Sequence, residues 1–168
     1  MNFPDLNKST LLFEFAWEVC NQIGGIYTVM KTKAPSMVDR WGGNYFMVGP
    51  YNQHTSSLEF EPTTPPELLR PALQEMERRG IKCHFGHWLV DGNPQAILID
   101  YQSCYSYLGD TKYYLWNDNG ISLEGADGEV DAVVAFGSAI TQLLQVISST
   151  ISEKKILAHF HEWMAGTA

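Results

Sequence analysis

Residues 11–34, LLFEFAWEVCNQIGGIYTVMKTKA, constrain what this chain can fold into more than any other stretch. An apolar run, Leu11, Leu12, Phe13, Phe15, Ala16 and Trp17, is broken only by Glu14. It reads as a buried strand. Paired glycines, Gly24 and Gly25, follow, and beyond them Ile26, Val29 and Met30 recur at helical spacing, with Lys31 and Lys33 near the end. Strand, glycine turn and helix make the opening unit of a nucleotide- or sugar-binding α/β domain. Glycines at the turn let a ligand approach the backbone closely. The helix start behind them offers free N–H groups and a positive dipole end to an anion. The spacing alone is also that of a plain turn. With no G-x-G-x-x-G and no G-x-x-x-x-G-K-[ST], neither a dinucleotide cofactor nor a P-loop is indicated.

A chain of 168 residues has room for one domain and a sizeable core. Its 45% hydrophobic and 18% charged residues are a globular balance. A formal net charge of −8 argues against nucleic acid or an anionic membrane as partner. No run is read as approaching the ~18 apolar residues that span a membrane, and MNFPDLNKST lacks a signal-peptide pattern. The three cysteines, Cys20, Cys83 and Cys104, are odd in number and show no C-x-x-C, which points to a reduced, cytoplasmic protein.

Residues 1–8 read as a short leader, tied down if at all by Phe3. Ala34-Pro35-Ser36 is expected to stop the first helix. Residues 45–49 read as a buried strand, followed by a polar loop and a short strand at 58–61. Leu68, Leu69, Ala72, Leu73 and Met76 mark a helix with Pro71 in its first turn, ended by Arg78-Arg79-Gly80. Residues 81–90 and 95–100 form a hairpin about Asp91-Gly92-Asn93-Pro94. Residues 101–128 read as a long loop with a short helical piece at 114–116. The clearest helix spans 129–149, with Val130, Val133, Val134, Gly137, Ile140, Leu144 and Ile147 as its buried stripe. Residues 155–160 are the last strand, with His161-Glu162-Trp163 opening a further helix. The alternation predicts an α/β fold with a mostly parallel sheet flanked by helices.

Three stretches, FEFAWEVCNQIGGIYTVMKTKA (13–34), WGGNYFMVGPYN (41–52) and AHFHEWMAG (158–166), together resemble the glycogen synthases of animals and fungi. Weaker similarity runs through 76–94 and 129–137, so the likeness is collinear over nearly the whole chain. The resemblance implies a retaining GT-B glucosyltransferase that extends an α-1,4-glucan from UDP-glucose. Such an enzyme has two Rossmann-like domains facing each other across a cleft. Residues 1–168 then correspond to the first, incomplete part of the N-terminal domain. The second domain, with most of the nucleotide site and the paired glutamates, is outside them, so this chain alone is not expected to catalyse transfer. The UDP-glucose donor and the glucan acceptor are partners of the full-length enzyme.

Residue by residue, the resemblance sets Gly24 and Gly25 near the donor phosphates and glucose. It sets His161 of the H-E-W motif beside the donor sugar, where an imidazole can hydrogen-bond a hydroxyl or a carbonyl, with Glu162 and Trp163 shaping that wall. Gln22 stands where the family is usually basic, so either another cation faces the phosphates or donor affinity falls. His87 stands where the family tends to carry arginine.

Other readings compete at single residues. His159, His161 and Glu162 could be taken as a metal cluster, since His-x-His on a strand puts both rings on one face, but the preferred reading has no metal. Glu14 either faces the cleft at the sheet end or is a paired buried charge. Tyr105, Tyr107, Tyr113, Tyr114 and Trp116 stack on sugars or fill a loop. An alternative for the whole chain is a stand-alone non-catalytic carbohydrate- or protein-binding module. If 155–160 lacks a neighbour it leaves a bare edge, and a homo-oligomer is then expected.

Overall fold

A computed structural model describes residues 8–168, so Phe3 of the leader lies outside the described residues. Six strands, β1 (Thr10–Phe15), β2 (Tyr45–Pro50), β3 (Phe60–Pro62), β4 (Cys83–Trp88), β5 (Gln95–Ile99) and β6 (Lys155–Phe160), form one sheet in the order β3-β4-β5-β2-β1-β6. β6, β1, β2 and β5 run parallel, while β3–β4 and β4–β5 are antiparallel. The mostly parallel α/β sheet is therefore present, and the hairpin is its antiparallel margin.

Side chains alternate across the pleat, and both faces of β1, β2 and β5 are covered. Leu11, Phe13 and Phe15 of β1 pack with Phe46, Val48, Ile97 and Ile99 toward the helices α3 (Arg70–Arg78), α4 (Leu108–Asn119) and α5 (Gly128–Thr150). On the opposite face Leu12, Tyr45, Met47, Ala96 and Leu98 meet Tyr27, Met30, Ala34 and Trp41 of α1 (Gly25–Trp41). Glu14 falls on this second face.

The first helix does not stop at Pro35; it continues to Trp41. Proline removes one N–H, which leaves the Lys31 carbonyl without its helical donor, and Lys31 is exposed, where water serves instead. Buried Met30, Ala34 and Trp41 anchor the helix on both sides of the proline. Gly92, at φ +84 in the β4–β5 turn, packs against it, and a Cβ there would lie 2.7 Å from Pro35 Cα.

Two stretches read as loops are helical. The polar segment after β2 is α2 (Gln53–Glu59), because Asn52 Oδ1 accepts from the N–H groups of His54 and Thr55 and caps it. Residues 102–119 are a 3₁₀ turn running into α4, which ends at Gly120 in the left-handed conformation. The Lys112–Asp131 ion pair and the bond from Gln142 Nε2 to Tyr107 Oη (2.7 Å) tie this segment to α5.

Asp127 caps α5 through the N–H groups of Glu129 and Val130. At 23 residues, with a mean hydropathy of 1.6 over its most apolar window, α5 is long and apolar enough to cross a membrane, contrary to the sequence reading. Ten of its residues are buried within this fold, from Val133 to Ile147.

Gly49, near the end of β2, sets the position of the β1–α1 loop. A Cβ there would lie 2.7 Å from Val19 Cβ and 3.0 Å from the Val19 carbonyl oxygen. Gly49→Ala is expected to destabilise the fold by about 1–3 kcal/mol, measured by urea denaturation; an unchanged midpoint would contradict this packing.

Candidate functional site

β1 connects through α1 to β2 on one side, whereas β6 pairs with β1 on the other. The carboxyl ends of β1 and β6 thus border the point where strand order reverses, the usual ligand crevice of open α/β sheets. The Gly24–Gly25 turn follows β1, and His161 follows β6.

Register builds the site. Glu14 pairs with His159, and the His161 N–H donates to the Phe15 carbonyl at 2.9 Å, extending the ladder one residue past β6. Residues 159 and 161 therefore present their rings to the same face, 4.4 Å apart. Glu14 has no solvent exposure. Its Oε1 accepts from His161 Nε2 at 2.7 Å, pairs with His159 Nδ1 at 3.1 Å and binds the ammonium of Lys33, which α1 brings in. Tyr45 Oη donates to Oε2. Glu14 is thus a paired buried charge, and the paired charge sits at the crevice. With Nε2–H donated to the carboxylate, the ring turns Nδ1 away, without a partner among the described residues.

Burial alone would raise the Glu14 pKa, but hydrogen bonds from His161, Lys33 and Tyr45 and the charge on Lys33 outweigh it and hold the carboxyl at about 2. Burial likewise pushes the Tyr45 phenol well up, reinforced by the Glu14 charge and hydrogen bond. His159 is pulled down by burial and then by His161 and Lys33, against the attraction of Glu14. A carboxyl whose folded pKa lies below its unfolded value stabilises the fold above the unfolded pKa and loses that contribution as pH falls through the folded one. The depression from 4.5 to about 2 corresponds to about 3 kcal/mol. The stability gap between wild type and Glu14→Gln is therefore expected to close between pH 5 and pH 2 in denaturant titrations. A pH-independent gap would contradict the pairing.

Glu14, His159 and His161 also offer ligand atoms within 4.8 Å of one another, a set that differs from the His159–His161–Glu162 cluster read in the sequence. The Lys33 ammonium is already bonded to the shared oxygen and 3.2 Å from His161 Nε2. That cation takes the place of a divalent ion and would repel one, so the chemistry of the set is that of an ion-pair network.

The turn differs from its reading. The carboxylate of Glu18, only 6% exposed, accepts from the N–H groups of Ile23 (3.3 Å), Gly24 (2.5 Å) and Tyr27 (3.2 Å). The helix start is therefore not open to an external anion at those three groups, because a side chain of the same loop fills them. Gln22 is exposed. Glu162 is exposed with a left-handed backbone at φ +60, a strained conformation for a non-glycine residue directly after His161. Trp163, 53% exposed, lines an apolar groove between α4, α5 and the last residues. The structure thus joins His161 to Glu14, Lys33, His159 and Tyr45, and leaves Trp163 on another surface. Lys33 and Glu18 had no signal beyond charge within a helix-and-turn segment; Glu14 had one, a carboxylate inside an apolar strand.

Residues 14–168 match the glycogen synthase family model. The chain belongs to the glycogen synthase family. It is 39% identical over 161 residues to the liver glycogen [starch] synthase of Mus musculus, covering 95% of this chain and 23% of that protein. It is 40% identical over 166 residues to glycogen [starch] synthase of Dictyostelium discoideum (98% and 19%) and 38% identical over 163 residues to that of Neurospora crassa (96% and 23%). The chain spans about a fifth of the length of these relatives. Family membership agrees with the resemblance read from 13–34, 41–52 and 158–166, and with the Rossmann-like sheet.

Proposed function

We propose that residues 1–168 are the first part of the N-terminal domain of a retaining GT-B glucosyltransferase that lengthens an α-1,4-glucan from UDP-glucose. The observation that carries this reading is His161, held by buried Glu14 at the reversal point of the sheet, where the Gly24–Gly25 turn follows the adjacent strand β1. Fixing the imidazole before substrate arrives leaves its outward nitrogen ready to hydrogen-bond a sugar hydroxyl without reorganisation. His161 then positions the donor, and the nucleotide contacts and paired glutamates belong to a second domain.

With Glu18 on the Ile23, Gly24 and Tyr27 N–H groups, donor phosphate is left the neighbouring N–H groups of Gly25 and Ile26. Gln22 contributes hydrogen bonds but no charge. Three free cysteines support a cytoplasmic setting. Among the described residues β6 pairs only with β1, and an unpaired edge recruits another strand. For residues 1–168 on their own that supports a homo-oligomer, which light scattering over a range of concentrations checks. The decisive experiment gives the full-length protein UDP-glucose or ADP-glucose with a glycogen primer. UDP-glucose-dependent chain lengthening is expected, and a well-folded protein that incorporates no glucose would overturn the reading.

A further inference from the structure

Glu59, the last residue of α2, is a half-buried carboxylate outside the network around Glu14. No lysine, arginine or histidine pairs with it among the described residues. Its two oxygens each serve one neutral donor: Oε1 accepts from Tyr27 Oη at 3.0 Å and Oε2 from Trp88 Nε1 at 3.0 Å. Trp88 and Tyr27 are buried and meet edge-on at 5.4 Å, so indole N–H and phenol both need an acceptor there. Burial, with the Glu59 hydrogen bond and charge, pushes the Tyr27 phenol up to about 12, so it stays a donor. The main-chain carbonyl of Glu59 accepts from the Leu89 N–H at 2.8 Å, and the Cys20 thiol lies 4.0 Å from the same oxygen.

These contacts fall on either side of the glycine turn. Cys20, at φ +55, precedes Gly24, and Tyr27 follows Gly25 in the first turn of α1. Gly24 and Gly25 have no side chains to pack, and a glycine gives up much conformational freedom when it is ordered. The turn is therefore held by what grips its flanks. Glu18 does so from within the loop, through the Gly24 and Tyr27 N–H groups, and Glu59 from outside it, through the Tyr27 hydroxyl. We propose that Glu59 is a positioning residue for donor binding. Through Tyr27 it fixes where the first turn of α1, with the Gly25 and Ile26 N–H groups, stands against the sheet edge. The proposal rests on the transferase reading, in which donor phosphate faces those two N–H groups. Loosening the turn moves both groups together, so donor binding weakens while the acceptor side is left as it was.

The test compares full-length wild type with Glu59→Gln, Tyr27→Phe and the double variant, with UDP-glucose as donor and maltooligosaccharides as acceptors. Tyr27→Phe keeps the ring and the Glu59–Trp88 bond, so it decides the matter alone if Glu59→Gln fails to fold. Each single change is expected to raise the donor KM about tenfold, the scale of one hydrogen bond, with the acceptor KM within twofold of wild type. The double variant should be no more than twofold worse than either single one, because both changes remove the same contact. A donor KM within twofold of wild type, an equal rise in both KM values, or additive effects in the double variant would overturn the proposal. If wild type transfers no glucose, the transferase reading fails, and amide hydrogen exchange decides the role of Glu59 separately. Exchange about tenfold faster at residues 23–27 of Tyr27→Phe, with the strands unchanged, supports it. Exchange there within twofold of wild type, or faster across the whole sheet, overturns it.

Discussion

Replacing Glu14 by alanine is expected to lower the stability of the fold by about 3–5 kcal/mol, because it leaves the Lys33 ammonium without its buried partner. Glu14 has no solvent exposure, and its two oxygens are bonded to four side chains from β2, α1 and the β6 end. Removing it breaks the link between three elements at once. Glu14→Gln keeps volume and one acceptor oxygen and should lose less. In the full-length protein, releasing the His161 ring should also lower kcat by roughly 100-fold, the scale of a small misplacement of a positioning group. Chemical denaturation and the kcat of glucosyl transfer check the two effects. A Glu14→Ala protein with an unchanged denaturation midpoint would show that the network does not hold the sheet edge.

Glu18→Ala is expected to act on the turn in two opposed ways. Three N–H groups at the start of α1 lose a charged acceptor, which should cost about 2 kcal/mol of stability, as deletion of a strong helix cap does. The same deletion opens the helix start to outside anions. Inorganic phosphate should therefore raise the Tm of Glu18→Ala more than that of wild type, in which the carboxylate already fills the place. Equal stability together with equal phosphate response would remove Glu18 from this role. Glu18→Gln separates charge from shape, since the amide oxygen can still accept from the N–H groups but no longer repels phosphate.

The central strands were readable because both of their faces are buried: runs such as 45–49 and 96–99 carry no charged or amide side chain, and the sequence marks them without needing a period. The helix over 129–149 was readable for a related reason, its broad apolar stripe and the Asp127 cap. α2 and α4 were not. QHTSSLE has a cap but no apolar stripe, and α4 buries little beyond Leu108 while exposing Tyr113, Tyr114 and Trp116. Pro35 misled in the opposite direction, since a solvent-facing helix tolerates the missing bond when its buried side is anchored beyond the proline.

At the site, His161 and the Gly24–Gly25 turn were readable through family likeness, but their partners were not. Glu14 and His161 lie 147 positions apart, and only the parallel register of β1 with β6 brings them to 2.7 Å. Lys33 reaches them from the third turn of α1, a placement set by how the helix packs. Glu18 turns back onto a loop whose shape depends on the left-handed residue Cys20, at φ +55, and on the close approach to Gly49. Such long-range geometry has no local sequence pattern.

The most direct measurement is the kcat of His161→Ala against wild type in the full-length protein, with UDP-glucose and a glycogen primer and with the fold verified by circular dichroism. A fall of roughly 100-fold or more with the fold retained is expected. A folded variant that transfers glucose within about threefold of wild type would contradict it, because the ring that Glu14 holds at the reversal point would then have no part in transfer.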